Sequence, residues 1–295
     1  MIGAAANFRD AIRAAGLHPP NVIEPSKIHR FPGVGKCQRN RAGWCKLFDD
    51  GLGGSFGDWS SGFSEVWFAK QCKRLTSSER AASKRYISTA KARAEASRIA
   101  RQAHAATRAS AIWRAAPSAV ADHPYLIRKA IKGNGAKLHK GALVLPVRDF
   151  TGKLTSLQFI NPKGGKLLLS GGRKRGCFIP VAGDIASAVR VIICEGWATG
   201  CTLAEDEVGV LVLAAIDAGN LEPIAVTARR RWPHAELVIA GDDDRQTSGN
   251  PGATKARAAA LAAGALLALP QWPAGSPETL TDFNDLATWL KRGVI

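Results

Sequence analysis

Leu237-Val238-Ile239-Ala240-Gly241-Asp242-Asp243-Asp244 is an apolar run that stops on three carboxylates, and upstream Val191-Ile192-Ile193-Cys194-Glu195-Gly196 stops on one. Short runs of this kind, rich in aliphatic residues and closed by Gly or Asp, read as buried strands. Around them the pattern alternates, with strands over 189–194, 208–214, 236–240 and 265–269 and helices over 197–206, 221–231 and 252–263. Alternation predicts an α/β fold, a parallel sheet with helices on both faces, whose ligands bind beyond the carboxyl ends of the strands. Glu195 and Asp242 fall there. Asp242 and Asp244 are two apart, so in extended chain they point the same way with α-carbons about 6.6 Å apart, and Asp243 faces away. Thr281-Asp282-Phe283-Asn284-Asp285-Leu286 offers a further acidic group past the last strand.

These carboxylates lie in a chain of 295 residues with a formal net charge of +17. A field of that sign and size points to a polyanionic partner, nucleic acid first. An acidic spot in a basic protein suits a hard divalent cation, Mg²⁺ or Mn²⁺, standing between carboxylates and phosphates. Hydrophobic residues make up 46% of the chain, ample for a core. No stretch approaches the roughly 20 apolar residues of a membrane span, and the start lacks the layout of a signal peptide. A soluble cytoplasmic protein without membrane contact is expected. Cys37, Cys45, Cys72, Cys177, Cys194 and Cys201 form no C-x-x-C pair and read as reduced thiols, Cys194 as a core residue. His18 and His29 lie near Cys37 and Cys45, but the spacing matches no closed zinc pattern, and no zinc is expected.

Upstream of the alternating region the chain divides into segments. Residues 1–72 open with a short amphipathic helix over 8–15, stopped by Gly16, followed by strands around Gly43-Trp44-Cys45-Lys46-Leu47-Phe48 and 53–59 joined at Asp49-Asp50-Gly51. Phe31, Trp44, Phe48, Phe56, Trp59, Phe63, Trp67 and Phe68 would form either the core of a small sheet or a stacking platform for bases. Residues 73–117 read as a basic helical linker, with Lys84, Arg85, Lys91, Arg93, Arg98, Arg101, Arg108 and Arg114 against Glu79 and Glu95, a surface for a phosphate backbone. Residues 118–187 read as a basic α+β subdomain. It begins with a hairpin of 141–147 and 154–160, followed by a second hairpin of 166–169 and 177–181. Arg173-Lys174-Arg175 on the Gly-rich tip of the second would fan out to phosphates. Residues 188–275 carry the carboxylates, and 276–295 the terminal acidic motif and a helix.

The order apolar strand, Glu-Gly, helix, strand, helix, apolar strand, Asp-x-Asp, helix resembles the Toprim domain of bacterial-type primases, topoisomerases and certain nucleases. Glu195 stands at that family's glutamate, and Asp242 and Asp244 at its Asp-x-Asp. Tyr125-Leu126 with Lys129, Leu145-Pro146-Val147-Arg148-Asp149 with Gly152-Lys153-Leu154, Leu157-Gln158-Phe159-Ile160 and Lys166-Leu167-Leu168-Leu169-Ser170 resemble the basic subdomain before Toprim in bacterial primases. Arg30-Phe31-Pro32, Gly57-Asp58-Trp59-Ser60-Ser61-Gly62 and Asp282-Phe283-Asn284-Asp285-Leu286 are similar to plasmid- and phage-encoded primases. The zinc module that begins chromosomal primases has no counterpart among these motifs.

What the resemblance implies is a primase that makes short RNA primers on single-stranded DNA for a plasmid, phage or mobile element. Glu195, Asp242 and Asp244 would be catalytic and, with Asp282, would hold Mg²⁺ or Mn²⁺. Arg148, Lys163, Lys166, Arg173, Lys174 and Arg175 would contact the template or the nucleoside triphosphate. Gly33-Val34-Gly35-Lys36 lacks the upstream Gly of a P-loop, so unwinding would fall to a separate replicative helicase. Two alternatives stand beside this: a Toprim-type metal-dependent nuclease, and an inactive single-stranded-DNA-binding protein. A strand-passing topoisomerase needs a nucleophilic tyrosine, and neither Tyr86 nor Tyr125 is placed for it.

Overall fold

The structure, a computed structural model, describes residues 2–69 and 77–293. Cys72 lies outside these residues, as do the side chains of Glu79, Lys84 and Tyr86. The chain forms two compact units, residues 1–87 and 88–295, with the division inside one long helix.

In the first unit, helix α1 (Ile2–Ala14) lies on a four-stranded antiparallel sheet in the order β1 (His29–Phe31), β2 (Gly43–Leu47), β3 (Gly53–Asp58), β4 (Phe63–Phe68). Phe8 and Ile12 recur at helical spacing and are fully buried against Phe31, Cys45, Leu47 and Phe56. Phe8 fits because Gly54 carries no side chain: a Cβ there would stand 2.5 Å from the ring. Cys45 is therefore a core residue, its thiol pushed up to about 12 by burial, while Cys37 is exposed.

The second unit holds two sheets. An antiparallel sheet runs β5 (Lys137–His139), β6 (Ala142–Arg148), β7 (Leu154–Ile160), β8 (Lys166–Leu168). The other has the order β13 (Leu266–Ala268), β12 (Glu236–Ala240), β10 (Arg190–Cys194), β11 (Leu211–Ala214), β9 (Ile179–Ala182), parallel except for β9. Side chains alternate across this second sheet. Val191, Ile193, Leu211, Leu213, Leu237 and Ile239 face helices α5 (Leu221–Arg231) and α6 (Pro251–Ala263). Ile192, Cys194, Val212, Ala214, Val238 and Ala240 share a core with the β6 residues Leu143, Leu145 and Val147 and with α4 (Trp197–Asp206).

Three expectations change here. The second hairpin does not form: β8 pairs only with β7, and β9 crosses over to become the antiparallel edge beside β11. Pairing there satisfies the backbone of an otherwise open strand and buries Ile179 and Val181. The helix α2 (Ser77–Ala115) is also more than a linker, because Ala105 and Ala109 are fully buried, Ala109 packing with Val144 and Leu157. Small side chains at this spacing let the helix approach the sheet. Finally, residues 118–187, 188–275 and 276–295 pack into one unit, because β9 joins the parallel sheet and α7 (Phe283–Gly293) docks on α4 and on α3 (Pro124–Lys129).

Candidate active site

Register builds the site. Parallel pairing sets Cys194 beside Ala240, so Glu195 follows one strand end and Gly241-Asp242 the next. A Cβ at Gly241 would come within 3.0 Å of Leu269, and one at Gly252 within 2.6 Å of the Asp242 carbonyl oxygen. These glycines let the start of α6 close on the Asp-x-Asp loop. The Gly252 N–H donates to Asp244 Oδ2 at 2.9 Å, and Asn250 Oδ1 caps α6 while accepting from the Asp244 N–H at 2.9 Å. Asp244 is thus held at a helix N-terminus, where the backbone dipoles favour negative charge.

Asp243 turns elsewhere. Its carboxylate accepts from Trp272 Nε1 at 2.8 Å and Asn250 Nδ2 at 2.6 Å, and its N–H donates to the Thr281 carbonyl at 2.7 Å. The terminal segment therefore braces the loop from outside.

Burial pushes the Asp242 carboxyl up to about 8, and Glu195, Asp282 and Asp244 push it the same way while Lys166 opposes them. Glu195 rises to about 7 by burial, with Asp244 and Asp217 adding to it. Burial also raises Asp282, against Lys129. Glu195, Asp242, Asp244 and Asp282 thus feel one another, and Lys166 draws three of them, Glu195, Asp242 and Asp282, downward. The Lys166 ammonium lies 3.8 Å from where a Cβ would stand on Gly196. Asp242 Oδ1 is buried with no hydrogen-bond partner. Crowded, raised carboxylates around an orphaned oxygen are the donor set a hard divalent cation would relieve. Among the described residues no three His, Cys, Asp or Glu side chains are gathered into a complete ligand set.

The other expected contact residues lie in different surroundings. Arg173 pairs with Asp149 and Lys174 with Asp217, so both are engaged by carboxylates of the fold, and Arg175 is the most exposed member of the trio. Asn220 ties their loop down, accepting from the Gly176 N–H and donating to the Lys174 and Cys177 carbonyls. Arg148 donates to the Gly152 carbonyl at 2.7 Å, and Lys163 is exposed in the turn before β8. Asp282 accepts from the Asp285 N–H at 2.8 Å and so begins α7. Asp217, Asn250 and Trp272 carried no sequence signal of their own, because each matters through a partner more than twenty residues away or through a turn.

Residues 190–292 match the family described as the Toprim domain. Over this segment the chain is similar to Toprim domains. The match takes in α7 as well as the strands that present the carboxylates. Two Escherichia coli proteins, each named DNA primase TraC, are 39% identical to this chain over 166 and 156 residues, 52% and 50% of it. The chain spans only 15% and 11% of those relatives. Among solved structures, the primase fragment of the bacteriophage T7 primase-helicase protein aligns at 12% identity and a TM-score of 0.40, covering 90% of this chain and 97% of that one. The Aquifex aeolicus primase, with its zinc-binding and RNA polymerase domains, aligns at 12% identity and 0.41, covering 99% and 83%. Likenesses of that size decide nothing further. The resemblance to Toprim-containing DNA primases read from the motifs is borne out by the Toprim match and the sequence shared with TraC.

Proposed function

We propose that this chain is a nucleotidyltransferase that makes short RNA primers on single-stranded DNA. The observation that supports this most is the 39% identity to DNA primase TraC. Asp242 and Asp244, with Glu195 and Asp282 beside them, would hold Mg²⁺ or Mn²⁺. Bound there, the ion would neutralise negative charge on the phosphoryl group being transferred. Glu195, at the neighbouring strand end, would either bind the ion or take the proton from an attacking 3′-hydroxyl. Lys166 supplies an ammonium for the triphosphate. Lys163, Arg148 and Arg175 are left for the template, while Arg173 and Lys174 act through the loop they anchor. Among the described residues no helix is long and apolar enough to cross a membrane. A cytoplasmic setting beside a separate replicative helicase, for plasmid or phage DNA, fits this reading.

The test supplies the purified chain with single-stranded DNA, Mg²⁺ or Mn²⁺ and labelled ribonucleotides. Short labelled oligomers are expected, and Asp242→Ala should abolish them. Template cleavage without synthesis would replace this reading with a nuclease, and binding without either reaction with an inactive DNA-binding protein.

A further inference from the structure

The first unit has one covered face and one open face. Along β3 the residues alternate strictly: Gly54 and Phe56 point to α1, while Gly53, Ser55 and Gly57 point away. That outward row is nearly bare of side chains, and aromatic rings from the flanking strands lie over it. Trp44, the partner of Gly57 in the β2–β3 register, has its Nε1 3.1 Å from where a Cβ on Gly57 would be. At the other end Phe48 and Phe68 stand 3.0 and 3.2 Å from the corresponding point on Gly53. The two glycines are about 13 Å apart along the strand. Lys46 and Val66 flank Ser55 between them.

Trp59 completes one end. Its ring stacks on Trp44 with centroids 5.5 Å apart and planes 19° from parallel, and the Arg30 guanidinium lies 4.4 Å from its centre. Arg30 and Trp44 are cross-strand partners, so both rise from the same face, and Arg30 Nε is fixed by the Arg41 carbonyl at 2.8 Å. After both contacts Trp59 is still 54% exposed, and Phe68 is 66% exposed. The Arg-Phe-Pro and Gly-Asp-Trp motifs thus meet in space, and their pieces have separate tasks. Asp58, 1% exposed, accepts from the Val34 and Ser60 N–H groups and fixes the turn, leaving Trp59 on the surface. The charged side chains among the outward-facing strand residues are Arg30 and Lys46; Glu65 points to the other face and Asp58 is buried.

We propose that this face binds single-stranded nucleic acid, with bases stacked on Trp59 and Phe68 and the backbone phosphates facing Arg30 and Lys46. Among the described residues Arg30 and Lys46 have no carboxylate partner on the face, which fits a polyanion, and flat rings over a nearly side-chain-free row fit unpaired bases, which present a π-face whatever their sequence. A four-stranded sheet bearing aromatics can stack two or three bases in this way. The face belongs to the first unit, and the proposal does not depend on the chemistry assigned to the carboxylates of the second.

The test is equilibrium binding of the full chain to a fluorescently labelled oligothymidylate in EDTA without nucleoside triphosphates, so the outcome is independent of catalysis. Trp59→Ala and Phe68→Ala should each weaken binding roughly tenfold, the size expected for one lost base stack, without altering the salt slope. Trp59→Tyr should restore most of the affinity. Lys46→Ala should reduce the salt slope by about 1, as for loss of one phosphate contact. Circular dichroism and thermal melts would establish that each variant is folded. Wild-type affinity in both aromatic variants would overturn the proposal. So would a wild-type dimer that Trp59→Ala dissociates while DNA binding is unchanged, since the face would then be covered by a second copy.

Discussion

Asp242 and Glu195 are held at a cost to the folded chain that a bound cation would remove. Their values in the metal-free fold, about 8 and about 7, lie above the ordinary carboxylate range because burial and neighbouring carboxylates disfavour the ionised forms. The sign follows from linkage: the unfolded chain loses these protons near pH 4, the folded chain only near 7 to 8, so stability falls as pH rises between those limits. In EDTA the melting temperature should therefore be lower at pH 8 than at pH 5. Asp242→Asn should raise it by several degrees at pH 8 and change it little at pH 4. Mg²⁺ should stabilise the wild type at pH 8 more than the variant. A variant that melts lower at pH 8 in EDTA would show that the carboxylate is not strained. Under the proposed metal-holding role, Asp242 is the group where function and stability oppose each other.

At the level of elements, α7 is a brace. Asn284, 1% exposed, donates from Nδ2 to the Lys129 carbonyl at 2.7 Å and to Thr202 Oγ1 at 2.9 Å, joining α7 to α3 and α4. Asp285 accepts from Lys129 Nζ at 3.0 Å, and the preceding Thr281 carbonyl receives the Asp243 N–H. Displacing α7 would release the loop that carries Asp242 and Asp244. Asn284→Ala should destabilise the second unit by about 1–3 kcal/mol, since it leaves the partly buried Lys129 carbonyl and the buried Thr202 hydroxyl without this partner. It should also speed hydrogen exchange at the Asp243 amide, and unchanged exchange there would remove the brace from the account. The elements of the Toprim domain were legible because buried strands and amphipathic helices alternate without interruption, and the observed bounds differ from the expected ones mainly at the ends. The false hairpin at 166–181 was not avoidable by the same means. Two short apolar runs around a Gly-rich turn have the same pattern whether they pair with each other or with different sheets.

For the whole molecule, the cores are distinct. Phe8, Ile12, Leu17, Phe31, Cys45, Leu47 and Phe56 form a cluster within the first unit, apart from the clusters of the second. Calorimetry should show two transitions. Phe8→Ala, which empties a fully buried site packed on Phe56 and Trp67, costs about 3–5 kcal/mol and should move or abolish one transition while leaving the other in place. A single transition shifted as one would show that the units unfold together. The charge of +17 is shared among surfaces, and only some of its cations are free for a polyanion: Arg173, Lys174 and Lys129 are spent on Asp149, Asp217 and Asp285.

The sequence by itself determined the parallel sheet, the strand ends that carry Glu195, Asp242 and Asp244, and the turning away of Asp243, because strand periodicity and the two-residue repeat are local properties of the chain. Tertiary structure alone decided which strand β9 joins, that Asp149 and Asp217 capture two of the three tip cations, and that Arg30, Trp44 and Trp59 meet on one open face. Those outcomes depend on long-range pairing and burial, which place residues far apart in the chain within a few ångströms and leave no mark on the local pattern.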